Sequence, residues 1–85
     1  MSENEVMKRL QAIFRDVFGD NELRIDRRTN SNDIDSWDSL THIKILEAVQ
    51  DEFTLNFSLD EMIELNDVGK IVDAIIRGGM TDKRN

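Results

Sequence analysis

The sequence predicts an all-α protein, a four-helix bundle with a long first loop and a short third helix. Apolar residues recur at the three- and four-residue spacing of amphipathic helices, and strands are not needed to explain any segment. Apolar residues make up 39 % of the chain but aromatic residues only 6 %, so the core should consist mainly of Leu, Ile, Val and Met. A chain of 85 residues has surface for one packed core. We therefore expect a single domain over residues 1–85, with its core at about 3–77 and a flexible tail at 78–85.

The first helix is predicted between Ser2 and Phe18. Ser2 and Glu5 have the spacing of a capping box, in which a side chain satisfies a free amide of the first turn. Gly19 follows the last apolar residue and is expected to end the helix. One face carries an apolar stripe, formed by Val6, Leu10, Ile13, Phe14 and Val17.

A long loop is predicted from Gly19 to Asp38, because no helical or strand period is sustained there. The segment is rich in Asn, Asp, Ser and Arg, and Asn, Asp and Ser side chains satisfy turns locally. Structureless connections of about 20 residues are uncommon in compact domains. We therefore expect the loop to be functional and to be pinned by Leu23, Ile25 and Ile34.

Three further helices follow the loop. The second is predicted to begin at Ser39 and to end at Phe53. Ser58 begins a third helix of barely two turns, since it repeats the capping-box spacing with a glutamate three residues later. Asp67 is positioned to cap a fourth helix, which Gly78 should end.

The negative charge is concentrated in the middle of the chain. The net charge is −7, and residues 33–67 carry ten acidic residues and one basic residue. A field of this sign repels nucleic-acid phosphates and anionic lipid, and it attracts the basic surfaces of partner proteins. We expect no nucleic-acid partner, no membrane insertion and a monomeric protein.

The chain contains no cysteine, which excludes disulfides and thiolate metal sites. Its N-terminus lacks the features of a secretion signal, and it has no apolar run of about eighteen residues that could cross a membrane. These features favour a cytoplasmic location.

One motif carries the functional prediction. The triplet Asp38-Ser39-Leu40, which opens a helix after a long loop, resembles the attachment motif of the acyl and peptidyl carrier protein family. The resemblance covers about residues 3–77, and it includes Phe53 at the end of the second helix and the short third helix. It implies an acyl-carrier-like bundle that holds acyl or aminoacyl groups as thioesters on a 4'-phosphopantetheine arm.

The resemblance also assigns roles to the three residues of the motif. Ser39 would receive the arm from coenzyme A, through a separate phosphopantetheinyl transferase, and would be left with a phosphodiester. Asp38 matches the acidic neighbour of the family, and Leu40 matches the apolar residue that helps the transferase to grip the helix. Such a carrier would serve fatty acid or secondary metabolite biosynthesis.

Elementary electrostatics agrees with that location. A phosphodiester at a helix N-terminus faces unpaired backbone amides and the positive end of the helix dipole. Ser39 has no base that would make it a catalytic nucleophile, because His42 is the one histidine of the chain and completes no triad. We predict that the chain is not an enzyme and has no catalytic residue.

The acidic residues that precede the second helix do not match the pattern of a calcium-binding loop. Counted from Asp33, the EF-hand pattern requires Asp or Asn, Gly and Glu at positions that hold Trp37, Asp38 and Lys44. The sequence therefore predicts no metal site.

The motif departs from the form that is usual in carriers of fatty acid synthesis. Ser36 and Trp37 stand before Asp38, and His42 and Lys44 lie early in the second helix. This Trp-Asp-Ser-Leu form looks like specialised, discrete carriers of dedicated acyl or aminoacyl transfer pathways. Trp37 either packs against the loop or contacts a ligand or partner, and His42 is predicted to be an exposed helix residue.

Acidic residues are predicted to dock on basic patches of acyl- or aminoacyl-loading and acyl-transfer enzymes. With Trp37, the predicted partner-binding residues are Glu47, Asp51, Glu52, Asp60, Glu61 and Glu64. By the resemblance, an acyl cargo would slip between the helices. The matching apolar residues, which also serve as core, are Ile43, Leu46, Phe53, Ile63, Leu65, Val68 and Ile71.

An alternative function is an acidic four-helix inhibitor or immunity-type protein that binds a basic enzyme by surface complementarity. Length, charge and helix count fit this class. It leaves the Asp-Ser-Leu helix opening unexplained, and Trp37 is the one obvious aromatic anchor for such an interface.

Overall fold

The structure is a computed structural model, and it describes residues 2–78. Within this range it contains four helices and no strand. The helices are α1 (Glu3–Phe18), α2 (Ser39–Phe53), α3 (Leu59–Glu64) and α4 (Val68–Arg77). The predicted all-α class, helix order, long first loop and short third helix are confirmed. The predicted tail after Gly78 lies outside the described residues.

Each helix begins at a residue whose side chain accepts a hydrogen bond from the backbone amide three positions later. This cap satisfies one of the amides that a helix leaves without an internal partner. The capping residues are Ser2, Asp38, Ser58 and Asp67, at 3.2, 2.9, 3.1 and 2.7 Å from the amide nitrogens of Glu5, Thr41, Glu61 and Lys70. The predicted starts of α1, α3 and α4 are therefore confirmed in detail.

Three of the four helices, α1, α2 and α4, end in left-handed backbone. Gly19 and Gly78 have φ of 64° and 91°, where a residue without a side chain is favoured, as predicted for both positions. Thr54 ends α2 with φ of 55°, which is uncommon for a β-branched residue.

The core forms where α1 packs against α2 and α4. Its fully buried side chains are Val6, Leu10, Phe14, Ile45, Leu46, Val49, Val68, Ile71 and Val72. By contrast, α3 buries only Glu61 among its six residues, and its apolar Leu59 and Ile63 are each 63 % exposed. Apolar burial therefore contributes little to holding α3 in place.

The long loop is pinned to α1 as predicted. Leu23, Ile25 and Ile34 are half-buried against the core. The backbone amide of Ile25 donates to Gln11 Oε1 at 3.0 Å, and Arg15 Nε donates to the carbonyl oxygen of Leu23 at 2.8 Å. Helix side chains thus satisfy backbone groups of a segment that has no regular structure of its own.

The same loop is fastened to the start of α4. The amides of Val68 and Gly69 donate to the carbonyl oxygens of Thr29 and Arg27, at 2.9 and 3.0 Å. These amides belong to the first turn of α4, where the helix supplies no partner of its own. A Cβ atom on Gly69 would lie 2.9 Å from the Arg27 carbonyl oxygen, so only glycine allows this approach.

We predict that Gly69→Ala destabilises the protein by about 1 kcal/mol or more. The added methyl group displaces the Arg27 carbonyl, and this overpacking cost of roughly 1–3 kcal/mol exceeds the gain of up to about 1 kcal/mol in helix propensity. Urea unfolding followed by circular dichroism measures the change.

Arg27→Ala is the matched control for this prediction. It removes the ion pairs of the Arg27 side chain with Glu3 and Asp73, and it keeps the carbonyl that contacts Gly69. These ion pairs are exposed, so the control should lose less stability than Gly69→Ala. A Gly69→Ala protein as stable as the wild type would show that the loop does not need this approach.

Candidate functional site

Ser39 is the first residue of α2 and is exposed. The preceding residue places it there. Asp38 adopts extended backbone and caps the helix, so the chain turns into α2 immediately after it. Leu40, the next residue, is 66 % exposed. The three residues of the predicted motif therefore form one accessible corner at the N-terminus of a 15-residue helix.

The carboxylate of Asp38 is stabilised in its ionised form. Its Oδ1 atom accepts a hydrogen bond from the Thr41 amide, and this bond is the main reason why the pKa of Asp38 lies below its ordinary value of 3.8. A lowered pKa in the folded state means that the ionised group stabilises the fold above pH 3.8. This contribution is lost as the pH falls through the folded-state value.

We predict that the stability difference between the wild type and Asp38→Ala is largest near neutral pH and shrinks as the pH falls below 3.8. Denaturant unfolding at a series of pH values measures it. Asp38→Asn is the control, because its amide oxygen still accepts the Thr41 hydrogen bond without a charge. A stability difference that stays constant across the whole range would contradict the role given to the ionised carboxylate.

Trp37, which immediately precedes this corner, is buried. Its side chain is 5 % exposed and makes an edge-to-face contact with Phe14 of α1, with ring centroids 5.2 Å apart. Of the two predicted roles, packing is therefore the one this structure supports. As a partner-binding residue, Trp37 offers almost no accessible surface in this conformation.

His42 connects the corner to α3, which corrects the prediction of an exposed helix residue. It is half-buried, and both ring nitrogens have partners. Trp37 Nε1 donates to His42 Nδ1 at 3.0 Å, and His42 Nε2 lies 2.7 Å from the carbonyl oxygen of Met62. An indole N–H can only donate and a carbonyl can only accept. The ring is therefore neutral and carries its hydrogen on Nε2.

A cleft of about 470 Å³ lies beside Ser39. It is lined by polar and apolar side chains from the loop, the start of α2 and the end of α3. The lining residues are Ser31, Trp37, Asp38, Ser39, His42, Ile43, Ile63 and Asn66. A group tethered to Ser39 would have this cleft as its nearest concave surface.

The predicted acyl-pocket residues separate into three groups. Ile43 and Ile63 line the cleft. Phe53 is half-buried beneath the guanidinium of Arg9, which lies 5.5 Å from the ring centroid. The remaining residues are buried in the core, where they pack with other helices: Leu46, Leu65, Val68 and Ile71.

Most of the predicted partner-binding acids are exposed. Glu47, Asp51, Glu52, Asp60 and Glu64 lie on the surface of α2 and α3, and Glu52 pairs with Arg9 at 3.5 Å. Glu61 differs, because it is 4 % exposed and its Oε2 atom accepts a hydrogen bond from Arg77 of α4 at 3.0 Å. Its position suits the attachment of α3 to α4 rather than contact with a partner.

Sequence reasoning missed the hydrogen bonds of His42 and Glu61. Met62 lies 20 positions after His42, and Arg77 lies 16 positions after Glu61. The local spacing of residues does not predict contacts between positions so far apart in the sequence. A histidine on a helix face beside a buried tryptophan was a weak signal for the first, and nothing in the pattern distinguished Glu61 from its acidic neighbours.

Residues 2–78 include no group of three or more His, Cys, Asp or Glu side chains arranged to hold a metal ion. Within the same range, no helix has the length and apolar character needed to span a membrane.

These features define a small helical protein that presents one exposed serine at a helix N-terminus, beside a cleft and an acidic surface. Residues 8–75 match the family described as a phosphopantetheine attachment site. The chain therefore belongs to this family, and its carrier function depends on a covalently attached 4'-phosphopantetheine arm.

A solved structure supports the same conclusion. The chain is similar to a holo acyl carrier protein from Geobacter metallireducens, determined by NMR in solution, with 34 % sequence identity and a TM-score of 0.79. The match covers 86 % of this chain and 84 % of the other. No curated protein matches the chain.

Proposed function

We propose that Ser39 carries the phosphopantetheine arm and that the chain presents acyl or aminoacyl thioesters on it to partner enzymes. The observation that carries the proposal is the exposed serine at the first position of α2, within the matched attachment-site family. The similarity to a holo acyl carrier protein supports the acyl cargo. The alternative of an acidic inhibitor has no support among the similar proteins.

The attachment step requires a phosphopantetheinyl transferase and coenzyme A. The Ser39 Oγ atom attacks the phosphorus that bears the pantetheine, the Oγ–P bond forms, and the diphosphate bond breaks. The bisphosphorylated adenosine leaves, and the hydroxyl proton passes to a base of the transferase. Leu40 is exposed next to the reacting oxygen and is available for the transferase to grip.

The N-terminus of α2 suits the product of this step. A phosphodiester on Ser39 faces the first turn of the helix, where backbone amides and the helix dipole favour an anion. Asp38 already engages the Thr41 amide and carries its own negative charge. The two anions repel each other, which favours a phosphodiester that is turned away from the Asp38 carboxylate.

The partners are biosynthetic enzymes that load and remove the cargo. The exposed acids of α2 and α3 form a negative surface on these two helices, which suits docking on basic patches. Because these charges are exposed, such docking should weaken as the salt concentration rises. We propose that the chain itself contributes no catalytic residue and acts as a monomer.

We predict that incubation with a broad-specificity phosphopantetheinyl transferase and coenzyme A raises the intact mass of the protein by one arm. Ser39→Ala should show no increase, because the attacking hydroxyl is gone. Electrospray mass spectrometry of the intact chain measures both.

Ser36→Ala is the matched control, since Ser36 is also exposed and lies three residues before Ser39. It should be modified like the wild type. If Ser39→Ala still gains the arm, or if the wild type stays unmodified with a transferase that is active on another carrier, the proposal is wrong.

A further inference from the structure

We infer that this carrier takes a short polar acyl group, because His42 holds closed the seam between α2 and α3 that a long apolar cargo would have to open. The inference rests on the proposed attachment of the arm to Ser39 and specifies the cargo of that site. It follows from the hydrogen bonds that fasten α3, and from the side chains that line the cleft.

The first fastening is His42 itself. Its Nε2–H donates to the Met62 carbonyl oxygen of α3 at 2.7 Å, while its Nδ1 accepts from the indole of Trp37 at 3.0 Å. The buried indole thereby fixes the orientation of the imidazole ring. The ring thus bridges the two helices directly beside the cleft, whose lining includes His42 and Ile63.

A second fastening lies two turns further along α2. Gln50 Nε2 donates to the Leu46 carbonyl oxygen at 3.1 Å and contacts Met62 Sδ at 3.7 Å. The Oε1 atom of the same side chain accepts from the Phe57 amide at 2.8 Å. Both His42 and Gln50 therefore hold Met62, one through its backbone and the other through its sulfur.

The opposite side of α3 is fastened to α4. Glu61 is buried and accepts a hydrogen bond from Arg77 at 3.0 Å, while its other oxygen, Oε1, is buried without a partner. Opening the seam at Met62 breaks the bond to His42 and the weaker contact of Gln50 with the sulfur, whereas moving the whole of α3 would also break the bond to Arg77. These polar bonds act together with apolar contacts, since Met62 packs against the core and the flanking Phe57 and Leu65 are buried in it.

The path into the core passes this seam. Leu46 is one turn beyond His42 on α2, and Leu46 and Val68 are both completely buried. An apolar chain that lies in the cleft beside Ser39 would reach such side chains by parting α2 from α3 at Met62. With the seam closed, a long chain would stay exposed to water along most of its length, which is unfavourable.

The cleft outside the seam suits a different cargo. Ile43 and Ile63 supply apolar contacts beside the buried Trp37, whereas Ser31, Asp38, His42 and Asn66 supply polar groups. No lysine or arginine is among the side chains that line it. This lining fits a short acyl group with a hydroxyl or an ammonium group better than a long alkyl chain or a carboxylate.

The test compares two acyl groups, each attached to the same protein through the phosphopantetheine arm. A broad-specificity transferase loads the chain from octanoyl-CoA and, separately, from 3-hydroxybutyryl-CoA, and intact mass confirms each product. Cleavage of the thioester by hydroxylamine is then timed, and ¹H–¹⁵N spectra report the amides of Leu46 and Val68. The wild type should release both acyl groups at similar rates, with core amide shifts unchanged between the two.

His42→Ala removes the bridge and should open the seam. In this variant the octanoyl thioester should be cleaved several-fold more slowly than the hydroxybutyryl thioester, and the amides of Leu46 and Val68 should shift. His42→Gln retains one acceptor and one donor and should restore the behaviour of the wild type. Lys44→Ala, on the exposed side of α2, should behave as the wild type does.

The outcomes separate the two proposals. Absence of any mass increase overturns the attachment at Ser39, and the cargo inference falls with it. Normal loading, with octanoyl protected or core amides shifted in the wild type, overturns the cargo inference alone. So does a folded His42→Ala protein that leaves octanoyl unprotected. Should His42→Ala not fold, the wild-type comparison and His42→Gln still decide.

Discussion

The burial of Trp37 is the contact on which the geometry of the site depends. Its ring fills the space between Phe14 of α1 and His42 of α2, and its indole N–H binds the imidazole. The residue after it is the cap of α2, so the position of the indole also determines where that helix begins. A long loop without regular structure thus delivers Asp38 and Ser39 to a defined place, because its last apolar side chain is anchored in the core. Ser39 is therefore accessible at a fixed position because Trp37, two positions earlier, is buried.

Charged and uncharged polar side chains occupy different parts of the molecule. Acidic side chains crowd the outer faces of α2 and α3, while the buried polar bonds near the site involve a neutral imidazole and an amide side chain. Had His42 been protonated, a second donor would face the indole N–H and the link to Trp37 would be lost. The seam therefore relies on uncharged groups, whereas the proposed partner-binding surface relies on charges. Salt screens interactions of the charged surface far more than the hydrogen bonds of the seam.

The sequence predicted what is determined locally and missed what is determined at long range. Ser2, Asp38, Ser58 and Asp67 each cap a helix through an amide three residues away, so their roles could be inferred from spacing alone. The location of Ser39 follows from the cap before it. The role of His42 depends on where α3 falls against α2, which no periodicity of α2 records. Glu61 likewise has the spacing of a capping box with Ser58, yet its carboxylate turns to Arg77 instead.

The way in which α3 is attached explains why a two-turn helix is retained beside the site. A helix of six residues has little stability of its own and depends on its tertiary contacts. Apolar burial would have held it non-directionally, since the hydrophobic effect depends on area and not on orientation. The hydrogen bonds of Met62 with His42, and of Glu61 with Arg77, instead fix the register of α3 against both neighbours. The wall of the cleft that faces Ser39 is therefore held in one position, which is the condition for the cargo preference proposed above.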